Sequence, residues 1–296
     1  MLRDRLYLHS AIFLFGFTGV LGELIDMHET HFTWLRMIIC SLAFLLWFLL
    51  RGSSLRVSIP QLRTLTLTGG ILALHWIAFY GCIKADGAEL ALVLFSLGPA
   101  FTALLEPVFF GRRIYAYELL LSVLAAAGVY LIMQAREAST LGMVLGILSA
   151  ALNAFYGIFS KKLVDQLPAD KVNFYTILSG FVLLTLALPL VPVVYGVPMV
   201  ALPPSWQDWV YLLLLSIVCT NIAYVLCLKG LRGLTPFNFL LAINLEPVYG
   251  ILLAFLLLPK TLPGWGFWVG AGIVIGTVFA NIYFQKRYRS SLSAAH

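Results

Sequence analysis

Long apolar stretches separated by short polar clusters fill almost the whole chain. They fall at about Leu6–Leu24, Thr33–Leu50, Thr64–Ile83, Glu89–Phe110, Tyr117–Met133, Leu141–Ser160, Val172–Tyr195, Asp208–Leu228, Pro236–Leu258 and Trp265–Tyr283. A helix needs about 20 apolar residues to cross a hydrocarbon core of ~30 Å, and these stretches are of that order. Strands are excluded because unpaired strand edges cannot face lipid, and the alternating pattern of a membrane barrel is absent. The pattern therefore predicts an all-α polytopic membrane protein with ten transmembrane helices. Pro189 and Pro192 blur the exit of the seventh span.

Composition supports this reading: 61% of the residues are hydrophobic and 11% charged, which leaves no stretch for a soluble catalytic domain. The formal charge of +6 does not indicate nucleic acid, because the cations are scattered in twos and threes between apolar segments. They work instead as topology signals. With a cytoplasmic N-terminus, alternate connections hold 15 Lys and Arg on that side against 4 on the other (Arg36, Lys84, Arg136 and Lys260), which predicts that both termini are cytoplasmic. The first span follows Arg3 and Arg5, yet it is long and lacks a small-residue cleavage site, so it is kept as a membrane helix. Cys40, Cys82, Cys219 and Cys227 lie inside apolar spans without metal-ligand spacing, so neither disulfides nor a metal site is expected, and no cofactor is indicated.

The chain repeats itself. Phe79-Tyr-Gly-Cys-Ile-Lys84 echoes Tyr224-Val-Leu-Cys-Leu-Lys229, while Gly98-Pro99-Ala-Phe matches Glu246-Pro247-Val-Tyr and Ala127-Gly128-Val matches Ile275-Gly276-Thr, the last two displaced by 148 residues. Two units follow, residues 1–137 and 138–296. An odd number of helices per unit makes the second copy enter the membrane from the opposite side, giving two inverted five-helix repeats.

These residues resemble the drug/metabolite transporter superfamily, specifically its EamA-type ten-helix carriers. The match rests on Arg36, on His75-Trp76 and Ile83-Lys84, on the proline-bearing spans at Pro99 and Pro247, and on Leu245-Glu246-Pro247-Val248 followed by Gly264 and Gly276. It covers essentially the whole chain and implies a carrier of small metabolites without naming the cargo. Where members often carry Gly-Glu after the fourth helix of a unit, this chain has Gly111-Arg112 and Pro259-Lys260.

Ionisable groups within a bilayer are costly, so each is a site candidate. Glu246 sits near mid-span beside Pro247 and after Asn244. It can couple protons or another cation to transport, meet a substrate amine, or lock a helix break; these readings stay open. Glu106 shares a face with Ser96 and Pro99 but lies near the span end, where pairing with Arg112 or Arg113 is favoured. Arg36 can pair with Glu23 or bind an anion, with anchoring at the interface favoured. His75 is read first as an interhelical hydrogen bonder. Ser149, Asn153, Tyr156 and Ser160 form one polar stripe on the sixth span, and Asn221 and Tyr224 share a face of the eighth. A central cavity is predicted between spans one, three, four, six, eight and nine, lined by Trp76, Tyr80, Asn153, Tyr156, Asn221, Tyr224 and Glu246.

The glycine pairs Gly142/Gly146, Gly266/Gly270 and Gly272/Gly276 permit close helix approach, within the monomer first and in a homodimer as the alternative. No nucleotide-binding loop is present, so the expected function is secondary transport, most simply export of a metabolite such as an amino acid. An intramembrane enzyme using Glu106, His75 and Glu246, or a membrane scaffold or receptor, is the competing class. The inverted repeat has no evident use in an enzyme, and a scaffold or receptor leaves Glu246 and the polar stripe of the sixth span without a purpose. The partners expected are a small metabolite, the lipid bilayer and a coupling ion such as the proton, with no nucleic acid.

Overall fold

A computed structural model describes residues 2–133, 138–250 and 264–293, and among these every regular element is helical. Helix α1 (Leu2–Phe15) and α2 (Thr18–Leu24) form the first span, α3 (Glu29–Arg51) the second and α4 (Ile59–Asp86) the third. Helices α5 (Ala88–Phe95) and α6 (Gly98–Phe110) form the fourth, and α7 (Ala116–Met133) the fifth. The second unit runs through α8 (Thr140–Val164), then α9 (Ala169–Ala187) with a 3-10 turn and α10 (Val191–Tyr195). Its eighth span is α11 (Trp206–Ser216), a π-helical segment (Ile217–Ile222) and α12 (Ala223–Leu231). The ninth begins with α13 (Pro236–Ile243) and continues as α14 from residue 246, of which 246–250 are described. Helix α15 (Trp265–Ser293) is the last.

Eight of the described spans are long and apolar enough to cross a membrane, and the shorter Ala116–Ile132 joins them. The ninth span expected from the sequence, Pro236–Leu258, lies partly outside the described residues. Large apolar side chains such as Leu50, Val108, Leu186 and Val193 point outward, as expected for an integral, multi-pass membrane protein whose surroundings are hydrocarbon rather than water.

Local chemistry sets where the helices begin. Ser58 accepts from the Gln61 amide while Gln61 Oε1 accepts from the Ser58 amide, a reciprocal box at the start of α4. Ser139, Ser205 and Thr235 cap α8, α11 and α13 in the same way, each accepting from an amide three residues on.

The two units pack with related neighbours: α1 lies along α12 as α8 lies along α4, and the closing helices α7 and α15 pack on each other. At that last crossing a Cβ on Gly128 would stand 2.9 Å from the Gly270 carbonyl oxygen, and one on Gly270 would stand 2.9 Å from the Ile132 nitrogen, so the crossing admits only glycine. Gly270 thus serves the monomer, and so do Gly142 and Gly146, which face Asp86 and Leu94. Gly272 and Gly276 have open space beside them.

Candidate functional site

Several spans are interrupted at mid-depth. In the fourth, α5 stops at Phe95 and α6 starts at Gly98, with Pro99 in its first turn, where a missing N–H costs no hydrogen bond. The ninth repeats the device: α13 stops at Ile243, Asn244 and Leu245 turn, and Pro247 stands second in the next helix. The two breaks touch. Asn244 Nδ2 donates to the Ser96 carbonyl oxygen at 3.2 Å, satisfying an acceptor left open by the interruption. Both residues are buried, so this irregular backbone is enclosed by protein, the condition under which it is tolerated in a bilayer.

Beside the joined breaks lies a cavity between the units. Its walls include Phe15 and Thr18 from the first span, Arg36, the row His75, Trp76, Phe79 and Tyr80 of α4, and Phe95. Across from them stand Asn153 and Tyr156 of α8, Tyr224 and Cys227 of α12, and Phe239, Ile243 and Glu246. The spans that enclose it are those expected from the sequence, with the second added through Arg36.

Arg36 is the residue whose placement departs most from expectation. Instead of reaching for the interface as an anchor, its side chain is 2% exposed and turned inward. The guanidinium lies over the Trp76 ring, 3.9 Å from its centre, a cation–π contact. Nε donates to Thr220 Oγ1 at 2.8 Å and Nη1 to the Tyr80 hydroxyl at 2.9 Å. Thr220 can accept because its own proton goes to the Leu215 carbonyl five residues back, at 2.7 Å, inside the π-helical segment. Among the described residues no carboxylate lies within ion-pair distance of Arg36. The expected partner, the Glu23 side chain, lies outside the described residues.

Glu246 is likewise buried, with Thr18 Oγ1 3.2 Å from its Oε1. His75 Nδ1 meets both the carbonyl oxygen and the hydroxyl of Ser149 at 3.0 Å, an interhelical bond that fixes the ring at the cavity wall. Trp76 Nε1 donates to the Tyr224 hydroxyl at 3.0 Å, joining α4 to α12 across the site.

Four sequence candidates stand elsewhere. Asn221 does not line this cavity: its Nδ2 donates to the Cys40 carbonyl at 3.1 Å and it borders a separate cleft between α3 and α12. Ser96 and Asn244 form the joint behind the wall, with the Ser96 hydroxyl donating to the Val93 carbonyl. Glu106 lies at one end of the bundle. There Arg112 meets Glu106 at 3.2 Å and Glu118 at 2.7 Å, and Glu106 Oε2 also accepts from the Phe237 amide at 3.0 Å, tying α6 and α7 to the start of α13. Sequence reasoning missed Thr18 and Thr220. The glycines flanking Thr18, Gly16 and Gly19, mark an interruption that could have pointed to it, whereas nothing in the chain marks the π segment that presents Thr220.

The pattern of the EamA-like transporter family is matched twice, by residues 5–134 and by residues 140–283. No curated protein sequence matches the chain. A solved crystal structure of another protein is similar to it with a TM-score of 0.77 at 17% identity, covering 96% of this chain and 98% of its own. At that identity the likeness concerns the fold.

Proposed function

Because the chain belongs to the EamA-like transporter family, we propose that it is a secondary transporter that exports a small metabolite, such as an amino acid or a related compound, across the cytoplasmic membrane by alternating access. The observation that supports this most is the cavity between the units, which holds two buried ionisable groups, Arg36 and Glu246, that bond no opposite charge among the described residues. A packing core has no use for them, since burying a charge without a partner is strongly unfavourable. In this reading units 1–137 and 138–296 rock about the joined breaks, and both termini face the cytoplasm, in keeping with the split of 15 cations against 4.

Glu246 is the proposed coupling group. Thr18 has one hydroxyl proton and two acceptors near it, the Phe15 carbonyl at 2.7 Å and Glu246 Oε1 at 3.2 Å. The hydroxyl donates toward both, with the shorter bond to the carbonyl, so Glu246 holds only a shared hydrogen bond. A carboxyl held this loosely that gains and loses a proton as the cavity changes face would link proton movement to cargo.

The test is uptake and counterflow in proteoliposomes with a metabolite panel, with and without a pH gradient. Wild type should accumulate a cargo under the gradient. Glu246→Gln should reach the membrane and keep exchange while losing gradient-driven accumulation; full gradient-driven accumulation in that variant would remove the coupling role. Cysteines placed at Ser53 and Ser205 should be labelled from outside only at the latter, and labelling of Ser53 alone would reverse the orientation.

A further inference from the structure

We infer that Arg36 is an anion subsite of the cavity and that the cargo carries a carboxylate. This rests on the transport reading and narrows it to a substrate class. The guanidinium is fixed on three sides, by the Trp76 face, by Thr220 through Nε and by Tyr80 through Nη1. Its remaining nitrogen, Nη2, bonds to none of the described residues, and Arg36 lines the cavity.

Chemistry selects the ligand. The three fixed contacts are neutral, so the positive charge is solvated without being neutralised. A planar fork held in place by stacking suits an oxygen pair better than a single atom, which is the geometry of a carboxylate. Glu246 lines the same cavity, where it meets Thr18 and makes no ion pair with Arg36. The remaining lining is apolar and aromatic, with Phe15, Phe79, Phe95 and Phe239 around the same space. The cargo that fits is therefore a small carboxylate on an apolar or aromatic body, its charged end on Arg36 and its body among the rings.

Three probes with one ring and different charge separate the possibilities: 3-phenylpropionate, its neutral amide 3-phenylpropionamide, and the cation phenethylamine. Binding is read from the saturable rise in thermal unfolding midpoint of the purified full-length chain in detergent, a readout that does not require transport. Wild type should bind the carboxylate about ten- to a hundredfold more tightly than the amide, the range expected of a charged hydrogen bond. Arg36→Gln should bind carboxylate and amide alike, and Arg36→Lys should recover part of the preference. Should Arg36→Gln not fold, Tyr80→Phe, which frees Nη1 from its hydroxyl, should weaken carboxylate binding several-fold while leaving the amide unchanged. Equal binding of amide and carboxylate by wild type, a preference that survives Arg36→Gln or, in its place, Tyr80→Phe, or no saturable binding of any probe would each overturn the subsite. Carboxylate binding without counterflow would instead overturn the transport reading and leave the subsite standing.

Discussion

The fourth and ninth spans are two copies of one device, and they spend their acidic residue differently. Each stops, turns for two residues and resumes with a proline in the new first turn. After the break, the fourth span has Gly98 where the ninth has Glu246, and its own acid, Glu106, comes about two turns later at the bundle end. Glu106 meets Arg112 and a backbone amide of α13, so its charge is matched and its role is to hold three helices together. Glu246 faces a cavity, and among the described residues a threonine hydroxyl is the hydrogen-bond partner at its oxygen, with no cation bonded to it. Backbone symmetry and chemical symmetry are therefore separable: the repeat reproduces the break and leaves the cavity-facing acid to one copy.

Four substitutions sharpen this contrast. Glu106→Ala should have the largest effect on stability, because it leaves Arg112 half paired and the Phe237 amide without its acceptor; removing one partner of a buried pair costs about 3–5 kcal/mol. Thermal unfolding in detergent measures it, and a midpoint equal to wild type would mean that the pair does not hold the bundle end. Asn244→Ala should cost about 1–3 kcal/mol by the same measurement, the cost of an orphaned buried acceptor, here the Ser96 carbonyl. Glu246→Gln should change stability by no more than about 1 kcal/mol, since the amide can keep a neutral contact to Thr18, even though gradient-driven accumulation is lost. A collapse of the fold in that variant would make the two acids alike. Gly98→Ala should be the mildest, within about 0.5 kcal/mol, because a Cβ there meets its nearest neighbours at 3.9 Å. Normal yield and unfolding midpoint would bear this out, and a large loss would mean that the first break needs glycine for its backbone.

The spans were legible because twenty-residue apolar runs admit one structure in lipid, and the repeat was legible because its glycines and prolines recur at a fixed displacement. The breaks were only half legible. The prolines announce an interruption, yet the turn precedes them, at Ser96 and Leu97 and at Asn244 and Leu245. Among candidate site residues, Trp76, Tyr80, Asn153, Tyr156, Tyr224 and Glu246 meet at one cavity as the helical spacing suggested. Asn221 was misplaced for a definite reason. Placing it on one face with Tyr224 assumes α-helical spacing, and a π segment through Ile222 has more residues per turn, so Asn221 faces α3 and Tyr224 faces the cavity. For Arg36, position along the helix gives depth but not direction: a residue near a span's start can reach outward or inward, and Trp76 and Thr220, distant in sequence, decide for inward.

The Asn244–Ser96 contact has a thermodynamic consequence. Were the two units identical, exchanging their conformations would turn one facing state into the mirror of the other, and the two would be degenerate. At this joint the exchange would ask a serine hydroxyl to do for Asn244 what a longer amide does for Ser96, and the hydroxyl is already committed to Val93. On the alternating-access reading proposed above, the resting equilibrium between the two faces would thus be displaced from unity before any cargo or ion arrives, and the face that the empty carrier presents would be biased by a single side chain at the joint.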